Sequence, residues 1–200
     1  MYRNSEEYAE LQKVIIDIYI DYDIKGFPID VFALCKKMGA SVVPYTALGD
    51  DNLQLLIKKS KFGFFVRGTD GFPPTIYYND TLDSVGSQRL TIIHELKHYV
   101  YDEYTDDEEE DDLANSWARY LLCPIPFLII LGIESPNEII SFCNVSLEAA
   151  ENAASNIRNR KSKYGNQIFS FEEKLLNHLD KDVYKRFCRI HKDAKGGKDE

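Results

Sequence analysis

The chain has 200 residues, 44% hydrophobic and 28% charged. That composition excludes an intrinsically disordered or membrane-embedded class and fits one globular domain with appendages. Lys plus Arg number 24 against 33 Asp plus Glu, for a net charge of -9, so the overall field repels polyanions and argues against direct nucleic-acid binding.

The four cysteines, Cys35, Cys123, Cys143 and Cys188, are scattered and form no C-x-x-C pair, which points away from a zinc ribbon or a disulfide framework. The N-terminal MYRNSEEYAELQ lacks the apolar core of a secretory signal. The expectation is a protein of the reducing cytoplasm with no membrane association.

Residues 5–22 place Tyr8, Leu11, Val14, Ile15, Ile18 and Tyr19 at helical spacing, and Gly26 and Pro28 end that first helix. A short helix is expected over 29–38, stopped by Gly39, and a strand over 41–45. Three β-prone runs follow, 53–58, 62–67 and 75–78, the last two flanking a turn-rich GTDGFPP, so a small antiparallel sheet is expected. From 87 to 101 the period is helical again, with Leu90, Ile93, Leu96 and Val100 inward.

The acidic stretch 102–112 reads as a solvated loop, since it has neither the ligand spacing nor the glycine of a calcium-binding EF-hand. A helix over 111–123 comes next, terminated by Pro124 and Pro126. The apolar run 125–133, interrupted by Pro126 and Gly132, is too short to span a bilayer. Residues 136–143 and 146–160 read as helices, the second N-capped by Ser146, and 171–190 as a final helix before a disordered tail over 192–200. The fold class is thus α+β and mostly helical, with a small antiparallel sheet and C-terminal helices.

The chemistry concentrates in His94-Glu95-Leu96-Lys97-His98. At 100° per residue the two histidines of a helix lie within about 40° of each other, one turn apart, where they can grip one cation. Glu95 projects beside that seam and can act as general base without being a ligand. A catalytic zinc needs a third protein ligand and an open position for water.

Downstream, EEEDDLANSWARYLLCP places Asp111, Ala114, Asn115, Ala118 and Leu122 on one helical face, the alanines allowing close approach to the histidine helix. Direction favours Asp111 as the third ligand. Glu110 is turned away from the Ala114 and Ala118 face, and Glu109 lies nearly a turn further back, beyond the expected helix start.

The joint pattern resembles the ImmA/IrrE family of metallo-endopeptidases, where H-E-x-x-H is followed by acid-x-x-Ala-Asn/Asp-x-Phe-Ala-x-x-Leu-Leu-x-Pro. Here that segment reads Asp111-x-x-Ala114-Asn115-x-Trp117-Ala118-x-x-Leu121-Leu122-x-Pro124. The similarity extends over roughly residues 5 to 160, helped by FPIDVFALCKKMG before the motif and FCNVSLEAA after it. Three positions depart from the family pattern. Asp111 stands where Glu is usual, Trp117 where Phe is, and Lys97 where HELGH carries glycine, at the expected rim of the site.

The resemblance implies a zincin-like metallopeptidase domain over 1–132, followed by a helical extension over 133–191. It implies Zn2+, with Mn2+ or another divalent ion as substitute. It further implies a protein substrate, a helix-turn-helix repressor whose cleavage derepresses a mobile element or stress regulon. The competing readings are a non-catalytic adaptor that binds its repressor without cutting, and a zinc-stabilised structural domain; neither needs a base at Glu95.

Overall fold

A computed structural model describes residues 5–101 and 108–179. In chain order it contains α1 (Ser5–Asp21), α2 (Val31–Lys37), β1 (Ser41–Pro44), a 3-10 turn (Tyr45–Leu48), α3 (Asp50–Lys59), β2 (Gly63–Val66) and β3 (Thr75–Tyr78). These are followed by α4 (Val85–Tyr101), α5 (Glu108–Leu122), α6 (Ile125–Leu131), α7 (Pro136–Cys143), α8 (Leu147–Tyr164) and α9 (Glu173–Leu179). The fold is α+β and mostly helical.

The sheet is mixed, in the order β1-β3-β2. The expected antiparallel pairing holds for β2 and β3, with Phe64 opposite Tyr77, while β1 adds to the other side of β3 in parallel. A parallel neighbour needs a crossover, and the chain between β1 and β3 supplies it. Part of that crossover is α3, in the stretch where a strand over 53–58 was expected. Asp50 and Asp51 in its first turn and Lys58 and Lys59 in its last complement the helix dipole, which outweighs the β-prone look of its apolar residues.

Helix α4 lies between the sheet and α5, and packs on both. Its Ile92, Ile93 and Leu96 are fully buried, as are Trp117, Ala118 and Leu121 of α5. Helix α1 packs against α5 and α9, and α8 against α5, α6 and α7. Gly63 is required at the start of β2, because a Cβ there would meet Thr91 Cγ2 at 2.5 Å. Without a side chain at that point, β2 lies against α4 one turn before Glu95.

Several boundaries differ from expectation. Helix α5 starts at Glu108, so 108–112 are helical rather than loop, and residues 102–107 of the acidic stretch lie outside the described residues. The run after Pro124 is a helix, α6, with a proline in its first turn and Gly132 in the left-handed conformation as its cap. The run Glu110–Leu131, which joins α5 to α6, contains an 18-residue window apolar enough to cross a membrane by length and composition, but 72% of that window is buried inside the protein, where it serves as core. The expected final helix is seen as α9, and its continuation to 190 and the tail over 192–200 lie outside the described residues. Cys35, Cys123 and Cys143 are free and buried.

Candidate metal centre

Helix α4 places His94 and His98 on one face, with their Nε2 atoms 3.3 Å apart. From α5, the Asp111 carboxylate reaches to 3.3 Å from His94 Nε2. The donor atoms of His94, His98 and Asp111 all lie within 4.8 Å of one another. A tetrahedral zinc with bonds of about 2.0–2.1 Å separates its ligand atoms by roughly 3.3 Å, so two edges of the triangle have the dimension that the ion requires. The donors fit the group.

The protonation of the two rings agrees with that fit. Burial, chiefly, holds the pKa of His94 below its ordinary value, and burial together with neighbouring His94 pulls His98 down to about 4. Both imidazoles are therefore neutral at pH 7 and offer lone pairs. Asn115 decides which nitrogen of His94 is free. Its Oδ1 lies 3.1 Å from His94 Nδ1 and accepts the Nδ1–H, leaving Nε2 bare and aimed at the cluster.

Sequence reading put Asn115 on the correct face without giving it this task. The signal was present, since Asn115 stands one turn after Asp111 and the family pattern accepts Asn or Asp there, both of which offer an acceptor oxygen. Asn115→Ala is expected to weaken zinc binding about 10–100-fold and Asn115→Asp far less, as measured by competition with a chromophoric chelator.

Glu95 is buried on the same helix, facing β2. The register explains the contact. Asn79 N–H donates to Phe62 O, which makes residues 62, 64 and 66 the ones paired toward β3. The main-chain groups of 63, 65 and 67 therefore face outward from this edge, and the Phe65 N–H donates to the Glu95 carboxylate. Burial, followed by the nearby Asp111 carboxylate, raises the Glu95 pKa to about 7, against the opposing pull of that N–H.

This has a consequence for stability. A carboxyl whose folded pKa of about 7 exceeds its ordinary 4.5 favours folding in its protonated form. That contribution is complete below the ordinary value and is lost as pH rises through 7. The metal-free Glu95→Gln chain should therefore be more stable than metal-free wild type at pH 8, by about 1–3 kcal/mol. The difference should shrink towards pH 5; urea melts at the two pH values would test both.

Two expectations about neighbouring charges are corrected. Lys97 does not stand at the rim, for its side chain is fully buried and its Nζ lies 2.8 Å from Glu110 Oε2. Glu110 is not turned away from α4 but faces it through that pair. Because α5 begins at Glu108, Glu109 also falls inside the helix, though its side chain lies outside what is described.

Comparison with known families matches residues 52–155 to the IrrE N-terminal-like domain, a peptidase family. Neither a characterised protein nor a solved structure matches in two further comparisons. The matched segment runs from α3 into α8 and contains both histidines, Glu95 and Asp111. The chain belongs to the IrrE N-terminal-like family of peptidases.

Proposed function

We propose that the protein is a zinc-dependent endopeptidase in which His94, His98 and Asp111 hold the metal and Glu95 is the general base. The observation that carries this is the convergence of the three donors within 4.8 Å of one another beside a buried carboxyl. Two imidazoles and a carboxylate are a donor set suited to zinc. Bound there, zinc would supply Lewis acidity, polarising a scissile carbonyl and acidifying water.

The remaining steps belong to the chain's own residues. The Glu95 carboxylate takes a proton from the attacking water and gives it to the leaving amine. The edge strand β2 runs beside Glu95, so an extended peptide docking along it carries its backbone past the carboxyl. Phe65 N–H steers the carboxylate towards that edge.

A structural zinc domain or a non-cutting adaptor has no use for a buried carboxyl whose ionisation opposes folding, and Glu95 thus favours catalysis. The substrate we infer, from family resemblance, is a helix-turn-helix repressor. Incubating the zinc-loaded protein with repressors encoded beside its gene, with products read by mass spectrometry, tests this reading. A single new chain end that disappears on chelation is expected. Repressors bound but left intact would favour the adaptor.

A further inference from the structure

The sequence at the start of α5 has five successive acidic residues, Glu108 to Asp112, and among the described side chains Asp111 is the one beside His94. Helical direction alone leaves that choice open, since Glu110 also faces α4. Its oxygen is taken up by Lys97, at 2.8 Å. The Lys97 side chain is 0% exposed and that of Glu110 23%, and the ammonium also lies 5.3 Å from the Tyr101 ring centroid.

Burying a lysine ammonium is unfavourable by several kcal/mol unless a counter-charge meets it. The pair therefore holds the two helices in one relation more strictly than apolar contact would. Lys97 is the residue before His98, and Glu110 the residue before Asp111. The tie thus joins the immediate neighbours of two proposed ligands, one on each helix, at the first turn of α5, where unsatisfied backbone groups leave a helix most prone to fray.

We propose that Lys97 and Glu110 are positioning residues for the metal site. Their ion pair fixes the first turn of α5 so that Asp111 meets His94, and it keeps Glu110 from competing as a ligand. Lys97, which stands where the family pattern carries glycine, thereby selects the carboxylate that completes the site. This rests on the zinc reading above.

The test is zinc affinity, by competition with a chromophoric chelator, for wild type, Asp111→Ala, Glu110→Gln, Lys97→Met and the Lys97→Met/Glu110→Met double variant. The visible spectrum of the cobalt-substituted forms is a second readout. Circular dichroism would establish that each metal-free chain is folded at the temperature used. The Lys97→Met/Glu110→Met double variant, which leaves no buried charge without its counter-charge, is the one expected to fold regardless.

Glu110→Gln and Lys97→Met should each weaken zinc binding about 10–100-fold, with a changed cobalt spectrum. The double variant should be no worse than the poorer single one, because both remove the same tie. A pair that merely supports the fold would lower the melting temperature and leave the affinity of the folded protein alone. A Glu110→Gln chain that matches wild type in affinity and spectrum, while Asp111→Ala has lost zinc, overturns the positioning role and leaves the metal reading standing. A wild type without zinc, or an Asp111→Ala variant that binds like wild type, overturns the metal reading and this inference with it.

Discussion

Glu95→Gln is expected to keep its zinc and its fold and to lose about 10²–10⁴-fold in peptide cleavage, the usual contribution of a positioned proton acceptor. The amide matches the carboxyl in size, so the packing between α4 and β2 is retained. What it lacks is the basicity to take the water's proton. The metal-free variant should also be the more stable one above pH 7, because the buried carboxyl has lost its ionisation penalty. Loss of activity with a gain in stability is the signature of a residue kept for chemistry. Near wild-type turnover in Glu95→Gln would assign the base elsewhere or remove the peptidase reading.

His94→Ala and His98→Ala are expected to strip the metal, with a loss of affinity beyond the roughly 10–100-fold that follows removal of an outer partner. Each deletes one of three protein ligands, and two ligands on separate helices do not hold zinc in a catalytic geometry. The substitutions also remove a buried ring, so folding must be checked by circular dichroism before zinc is counted. Full occupancy in either variant would contradict the assignment.

The clustering of the candidate residues was legible in the sequence because its parts are local. The two histidines and Glu95 occupy five consecutive positions, and the one-turn spacing of a helix alone brings the rings together. Asp111 could be inferred because the alanines of α5 mark the face that meets α4. Lys97 could not be read correctly. Whether it lies buried depends on a carboxylate thirteen residues away, Glu110, and the wheel places it at a boundary that only the packing decides.

The same division runs through the fold. Helices α1, α7 and α8 carry strong apolar periods or local caps, such as the Ser146 side chain accepting from Ala149 N–H, and these bounds agree to within a few residues. Helix α3 was taken for a strand from the β-prone look of residues 53–58, although Leu53, Leu56 and Ile57, its half-buried residues, stand at helical spacing and charges of the right sign close its ends. In α6 the two residues taken as interruptions, Pro126 and Gly132, are its first-turn proline and its cap. The parallel placement of β1 depends on a crossover, which strand composition does not encode.

X-ray absorption of the zinc-loaded protein tests most directly whether one zinc sits between α4 and α5 on nitrogen and oxygen donors. Four light-atom neighbours at about 2.0–2.1 Å are predicted, with the outer scattering of two imidazole rings. A sulfur shell at about 2.3 Å, which would move the metal to the cysteines, or a six-coordinate shell of water oxygens, would contradict the account.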